Sequence, residues 1–183
     1  MWWVFGAFAA FLFSQKQVIA DKVEEMSDSW TRFDSLFKKY GNEYDVDWKW
    51  LKAIALNESS LGAEKSVARG LEVPSDVEGS KSSDGLSWGL MQVTVKTAQG
   101  LDKTASPEKL NDPDFSIRLA AQYLSSLGDY FTLSDTRRTE WIVKSYNQGP
   151  GNSLKEKKGL IAGYAQEYWN RFQRNLTRVE ENL

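Results

Sequence analysis

One carboxylate falls on the apolar face of a helix that the sequence predicts. In the stretch WKWLKAIALNESSLG, a helical wheel of about 100° per residue places Glu58 between Leu51 and Ile54. An ionised carboxylate is costly to bury, so such a group either finds polar partners or keeps its proton. A proton held near neutral pH is what a general acid needs, which makes Glu58 a candidate acid. The alternative is that Glu58 reaches solvent at the end of its helix or caps a neighbouring helix.

The composition restricts the chemistry to carboxylates, hydroxyls and amides. The 183 residues include no Cys, which excludes a disulfide framework, a thiol nucleophile and a thiolate metal site. They include no His, so the usual base for a Ser nucleophile and the commonest zinc ligand are missing. The net charge of −2 gives no general attraction to nucleic acid. We therefore expect no metal, no cofactor and no nucleic-acid partner.

Three further segments place polar groups in apolar surroundings. The segment WGLMQV contains Gly89, which would let the backbone approach a ligand, and Gln92, whose amide both donates and accepts. In SYNQGPG, Tyr146 and Asn147 lie where a helix is predicted to end in a Gly-Pro-Gly turn. The segment LIAGYAQEYW carries Tyr164. All three are candidates to line a binding site together with Glu58.

Each of these segments also has a purely structural interpretation. GLMQ is compatible with a turn packed by Leu90 and Met91, and QGPG is compatible with a plain helix stop. For Tyr164 the default is the core, because it shares a predicted helix face with Tyr168 and Trp169. Residue types alone leave both interpretations open.

The elements that would position these groups are predicted to be helices, and the fold class is mainly α. No long alternating strand pattern is present. Residues 63–88 are polar and lack periodicity, which is typical of a long loop. The apolar spacing of residues 30–40 predicts a helix that ends at Gly41. Expected N-caps are Asp45 or Asp47, Thr94, Ser106 before Pro107, and Asp112 before Pro113, and a later helix is expected over about 134–146.

The N-terminus carries an unbroken apolar run at residues 2–13. A helix of this length reaches only about 18 Å, but residues 2–20 could just span the ~30 Å hydrocarbon core if the polar residues 15–17 reach the interface. We favour a membrane anchor over a signal peptide or a helix packed on a partner. The expected division is an anchor helix at 1–22, a connecting helix at 23–44 and a catalytic domain at 45–183.

Taken in order, these motifs resemble the lytic transglycosylases of the soluble-transglycosylase (SLT) type, within the lysozyme-like superfamily. The shared motifs are E-S-S, G-L-M-Q, Y-N-x-G-P-G and a later Tyr. The segment NDPDFSIRLAAQYLSSL also resembles that family's N-P-x-x-N-I-x-x-G-x-x-Y-L-x-x-L helix. The resemblance covers about two thirds of the chain, and it implies a mainly α, lysozyme-like (SLT or goose-lysozyme-like) domain.

The resemblance implies that Glu58 is the sole catalytic acid and base. It implies that Gln92 and Asn147 bind sugar N-acetyl and hydroxyl groups, and that Tyr146 and Tyr164 orient Glu58 or stack along the cleft. The substrate would be the peptidoglycan glycan strand, cut between N-acetylmuramic acid and N-acetylglucosamine with 1,6-anhydro ends. The positions carried over as substrate-binding are Ser59, Met91, Gln92, Tyr146, Asn147 and Tyr164.

The sequence departs from the family pattern at four places. The pair Leu86-Ser87 stands where the family has Gly-Ala, and the interval from Glu58 to Gly89 is longer than usual. Ala162-Gly163 replaces a Glu-Thr pair before the late Tyr, and Gln148 replaces an Ala. These changes put the polar support of Tyr164 in question and predict that the long loop covers or opens the cleft.

Two other functions compete with this interpretation. The approach DGLSWGLMQV also resembles goose-type lysozymes, in which case Asp84 would hold a water as a possible second acid for hydrolysis. A non-catalytic glycan-binding or virion structural component is the third possibility, and the intact Glu58 argues against it. A membrane-anchored protein of this kind fits a periplasmic enzyme of the cell envelope or a phage protein that opens the wall.

Overall fold

The computed structural model describes residues 30–62, 82 and 85–183, and the chain divides into two units, Met1–Phe33 and Asp34–Leu183. In the first unit only residues 30–33 are described, and there the guanidinium carbon of Arg32 lies 4.5 Å from the centroid of the Phe33 ring. The predicted anchor at 1–22 lies outside the described residues. In the part of the chain that is described, no helix is long and apolar enough to cross a membrane.

In its described residues the second unit is built from helices and one short strand pair, which confirms the mainly α prediction. Strands β1 (Ser87–Trp88) and β2 (Val93–Thr94) are antiparallel, with Ser87 opposite Thr94. The helices are α1 (Asp34–Glu43), α2 (Trp48–Ser59), α3 (Val95–Leu101), α4 (Pro107–Leu110), α5 (Pro113–Gly128), α6 (Arg138–Gln148), α7 (Pro150–Lys157) and α8 (Gln166–Glu181).

The predicted N-caps are confirmed, because each side chain accepts a hydrogen bond from a first-turn backbone amide. Asp47 accepts from Lys49 at 2.9 Å, and Thr94 accepts from Thr97 at 3.1 Å. Ser106 and Asp112 cap α4 and α5, and a Pro follows each of them at the start of the helix.

Three helix boundaries differ from the prediction. Helix α1 continues past Gly41 to Glu43; a Cβ on Gly41 would lie 2.7 Å from the Val46 carbonyl oxygen, so this Gly permits close packing instead of ending the helix. Helix α6 begins at Arg138, later than expected, because a turn closes first with the Arg138 amide donating to Asp135. Helix α7 begins at Pro150 directly after Gly149, whose φ is 79°, so Gly-Pro-Gly forms a corner between two helices.

Helix α2 runs through the core and carries the candidate acid at its end. Leu51 and Ile54 on its apolar face are fully buried, as is Phe172 of α8, the helix that packs most extensively against it. Helix α1 packs on α2 and α5, and Lys52 of α2 forms a 2.7 Å ion pair with Asp34 at the start of α1. Because the second unit begins at Asp34, α1 lies inside it, whereas the sequence suggested a boundary at residue 45.

Candidate active site: a cleft around Glu58

Glu58 lies half-buried near the end of α2 and lines a cleft of about 120 Å³. The cleft brings Glu58 together with Gln92, Tyr146 and Asn147, three of the positions that the sequence proposed for substrate binding. Among the described residues that line this cleft, Glu58 is the only acid. The remaining lining residues are Ser87, Val93, Thr94, Thr97 and Tyr123.

Tyr168 holds the carboxylate of Glu58. Its hydroxyl donates a 2.6 Å hydrogen bond to Glu58 Oε1, and its side chain is only 4% exposed. Burial, and then the negative charge of Glu58, raise the pKa of Tyr168 well above its ordinary value, so the phenol stays neutral and able to donate. The Asn57 amide donates to the Tyr168 carbonyl oxygen at 3.1 Å, and Asn175 donates to Asn57 at 2.7 Å, which fixes α2 against α8.

Tyr164 does not take this position. It is 67% exposed, and its hydroxyl accepts a hydrogen bond from Asn152 at 3.1 Å. Tyr164 precedes α8, and Tyr168, one turn further along, is the tyrosine that lies inside the α2–α8 contact and bonds Glu58. The other role proposed for Tyr164, stacking along the cleft, stays a prediction. The segment LIAGYAQEYW contains both tyrosines, so the only available signal was that Tyr168 shares the apolar face of the last helix.

Tyr146 contacts the GLMQ turn. Its hydroxyl donates to the carbonyl oxygen of Met91 at 2.8 Å, and its ring lies 5.6 Å from that of Tyr123, centroid to centroid. Burial, and then the charge of Glu58, raise the pKa of Tyr146 well above its usual range. A neutral Tyr146 thus joins α6 to the turn at the edge of the cleft.

The GLMQ turn folds back on itself between β1 and β2. Gly89 has a φ of 74° and Gln92 a φ of 48°. Both the backbone amide and the side-chain amide of Gln92 donate to the Gly89 carbonyl oxygen, at 3.1 and 2.8 Å. A Cβ on Gly89 would lie 1.7 Å from the Leu110 carbonyl oxygen, so this Gly serves close packing against α4, where the sequence suggested approach to a ligand.

Two residues proposed for substrate binding are instead buried. Ser59 has no exposed surface. Its hydroxyl donates a hydrogen bond to the Leu90 carbonyl oxygen at 2.8 Å and accepts one from the Gly62 amide at 3.2 Å. Met91 also has no exposed surface, and its backbone amide donates to the hydroxyl of Ser116 on α5 at 3.3 Å. Neither side chain is accessible to a substrate, because the Ser59 hydroxyl bonds the turn and the Met91 side chain lies in the core.

Asn147 is exposed at the rim of the cleft, next to a buried polar cluster that supports the α6–α7 corner. Gln148 donates to Glu156 at 2.7 Å and to Ser153 at 3.1 Å. Lys144, 1% exposed, pairs with Glu156 at 2.7 Å and with Glu140 at 2.9 Å.

Because Gly163 has no side chain, the carboxylate of Glu156 in this cluster can lie directly against its backbone. A Cβ on Gly163 would lie 1.9 Å from the carboxylate of Glu156. Two of the departures from the family pattern, Gln148 and the Ala162-Gly163 pair, thus belong to one local arrangement. It anchors the end of α6 and hence the position of Asn147.

The possible second acid, Asp84, lies outside the described residues. In the described ranges no group of three or more Asp and Glu side chains is placed to hold a metal ion.

The comparisons with known proteins match the part of the chain that carries this site. A family model described as the Transglycosylase SLT domain matches residues 35–168. A protein of Serratia proteamaculans named Membrane-bound lytic murein transglycosylase F is 32% identical over 128 residues, which are 69% of this chain and 22% of that protein. Its namesake from Pectobacterium atrosepticum is 30% identical over 125 residues, 67% of this chain and 21% of the relative. The chain thus spans about a fifth of the length of these relatives.

Proposed function

The chain belongs to the transglycosylase SLT domain family, and on that premise we propose that it is a peptidoglycan lytic transglycosylase. The observation that carries the proposal is the cleft in which Tyr168 holds Glu58, the only acid among the described residues that line it. The names of the relatives, which are lytic murein transglycosylases, support it.

In the proposed reaction Glu58 acts first as acid and then as base. Protonated Glu58 donates its proton to the glycosidic oxygen between N-acetylmuramic acid and N-acetylglucosamine, and the bond from that oxygen to C1 breaks. The N-acetyl group of the muramic acid stabilises the cation-like C1. Glu58, now a carboxylate, takes the proton of the sugar's own 6-hydroxyl, and the bond from O6 to C1 closes a 1,6-anhydro ring. No water is consumed, and Glu58 regains its proton.

A single carboxylate is sufficient for this chemistry, whereas most glycosidases need two. The N-acetyl group and the 6-hydroxyl belong to the substrate, so correct positioning supplies much of the rate. We propose that Gln92 and Asn147 hold the N-acetyl and hydroxyl groups, since both line the cleft beside Glu58. Tyr146 and Tyr168, kept neutral by burial and by the charge of Glu58, are proposed to set the position of the cleft wall and of the acid.

Mass spectrometry of the products released from purified peptidoglycan by the full chain tests the proposal. We expect fragments one water lighter than those of a hydrolase, because the 1,6-anhydro ring replaces a reducing end. Reducing ends would contradict the proposal, favour a goose-type hydrolase and make Asp84 the next residue to change. No product from folded protein would favour the non-catalytic glycan-binding function.

Replacing Tyr168 with Phe should lower kcat about tenfold or more with little change in KM. The substitution removes the hydrogen bond to Glu58, and a bond to a charged group contributes about 1.5–3 kcal/mol. The matched control is Tyr40→Phe, because Tyr40 is also buried and its hydroxyl donates a 2.7 Å hydrogen bond to the carboxylate of Asp114. Neither residue lines the cleft. Equal turnover of the two variants would show that Tyr168 is not a positioning residue for Glu58.

We propose a location in the cell envelope, where the substrate lies, with residues 2–20 as the membrane anchor. The apolar run at residues 2–13 and the names of the membrane-bound relatives support this. Fractionation of expressing cells should find the full chain with membranes and a chain lacking residues 1–20 in the soluble fraction; equal distribution of the two would rule the anchor out.

A further inference from the structure

Two asparagine side chains lie in the contact between α2 and α8. Asn57 comes directly before Glu58 and is 5% exposed. Asn175 comes seven residues after Tyr168, so at about 100° per residue it shares the face of α8 that also carries the buried Phe172. Apolar side chains are the usual occupants of such a contact, and a buried amide is costly unless it is hydrogen-bonded. The two amides therefore need an explanation beyond packing.

Hydrogen bonds join the two amides in one direction. The Tyr168 carbonyl oxygen can only accept, so Asn57 turns its NH₂ group toward that oxygen, at 3.1 Å. The side-chain oxygen of Asn57 then accepts from the Asn175 amide at 2.7 Å. Asn175 thus sets which way the Asn57 amide points.

Tyr168 is held to α2 at both its backbone and its side chain. Its carbonyl oxygen accepts from Asn57, and its hydroxyl donates to Glu58 Oε1 at 2.6 Å, so two successive residues of α2 bond the same tyrosine. Apolar packing tolerates small sliding of one helix on another, whereas a hydrogen bond weakens steeply when its angle departs from linear. The amide pair therefore fixes where α8 presents the Tyr168 hydroxyl to the carboxylate.

We propose that Asn175 is a positioning residue for Glu58, which it reaches through Asn57 and Tyr168. Asn175 does not line the cleft, so it acts only through this chain of hydrogen bonds. The inference rests on the proposed function, since it takes Glu58 as the reacting group. When the Asn175 amide is removed, the Tyr168 hydroxyl loses its alignment with Glu58, and the carboxylate loses a bond that favours its charged form.

Carbon-13 NMR titration of full-length protein labelled at its glutamates tests this without a substrate. The carboxyl signal of Glu58 is assigned by its loss in Glu58→Gln. Tyr168→Phe should move the titration midpoint of that signal to higher pH, because a donated hydrogen bond favours the carboxylate. Asn175→Leu keeps a side chain of similar size that donates nothing, and it should reproduce at least about half of that movement. In the Tyr168→Phe background, Asn175→Leu should add no further movement, because both changes break the same chain.

The matched control is Asn170→Leu, the same substitution on the same helix. The Asn170 side chain bonds only within α8, to Gln166 at 3.0 Å and Glu167 at 3.5 Å. Its replacement should leave the Glu58 midpoint unchanged. With peptidoglycan as substrate, Asn175→Leu should lower kcat about fivefold with KM unchanged, whereas Asn170→Leu should turn over like the wild type.

Three titration results would overturn the proposal: a wild-type Glu58 midpoint in Asn175→Leu, an equal movement in Asn170→Leu, or a further movement when Asn175→Leu is added to Tyr168→Phe. Circular dichroism of Asn175→Leu and Asn175→Ala provides a separate check. Loss of the fold in both would also overturn the proposal, because Asn175 would then support the whole fold and not the acid in particular.

Failure of the proposed function is measured separately, by the products that wild-type protein releases from peptidoglycan. A moved Glu58 midpoint without anhydro products would refute the transglycosylase and keep Asn175 as a positioning residue for the carboxylate. Anhydro products together with an unmoved midpoint would refute the role of Asn175 alone.

Discussion

Glu58→Gln should abolish release of product from peptidoglycan, with turnover reduced by at least about 10³-fold, because the proposed reaction uses this one group as both acid and base. A carboxamide can neither give the proton to the glycosidic oxygen nor take that of the 6-hydroxyl. Its oxygen can still accept the hydrogen bond that Tyr168 donates to Glu58. The thermal midpoint and the binding of glycan oligomers should therefore stay close to those of the wild type.

A Glu→Gln control separates this effect from a general loss of charge. Glu180 of α8 is half exposed and pairs with Lys49 at 3.4 Å, outside the residues that line the cleft. Glu180→Gln should retain full turnover in the same assay. Wild-type turnover in Glu58→Gln would remove Glu58 from the mechanism.

Gly89→Ala should lower the free energy of unfolding by about 3 kcal/mol or more. The added methyl would lie 1.7 Å from the Leu110 carbonyl oxygen, and that oxygen belongs to backbone that cannot swing aside. The φ of 74° adds strain, since a residue with a Cβ rarely adopts it. Relief requires the turn to move away from α4, which would also displace Gln92 from the cleft.

Thermal unfolding followed by circular dichroism measures this, with Gly100→Ala as the control. Gly100 lies in α3 with nothing within 4 Å of an added Cβ, so its replacement should leave stability unchanged or raise it by up to about 1 kcal/mol. If both variants unfold at the same temperature, close packing of Gly89 does not hold the turn.

Local rules predicted the elements of the fold well. The caps Asp47, Thr94, Ser106 and Asp112 could be predicted from the sequence, because an N-cap side chain bonds a backbone amide only two or three residues later in the chain. The end of α1 was misread at Gly41, because a Gly inside a helix and a Gly after it look alike without the neighbouring chain. The SLT resemblance, which depended on several motifs in order, is confirmed by the family match.

The sequence predicted the candidate-site residues whose side chains face the cleft, but it could not tell them from neighbouring residues whose side chains face the core. Glu58 could be identified as a candidate because it is an ionisable residue on the apolar face of a predicted helix. Ser59 and Met91 share motifs with cleft residues, yet their side chains point into the core, and motif membership carries no information on direction.

Helices α2, α5 and α6 fasten the GLMQ turn through its main chain: the hydroxyls of Ser59 and Tyr146 bond the carbonyl oxygens of Leu90 and Met91, and Ser116 accepts from the Met91 amide. Every amino acid except proline offers these same atoms. The identity of the middle residues is thus decoupled from the geometry they support, and positions 90 and 91 need only fill an apolar space. Substitutions can accumulate there while the distance between Glu58 and Gln92 stays constant.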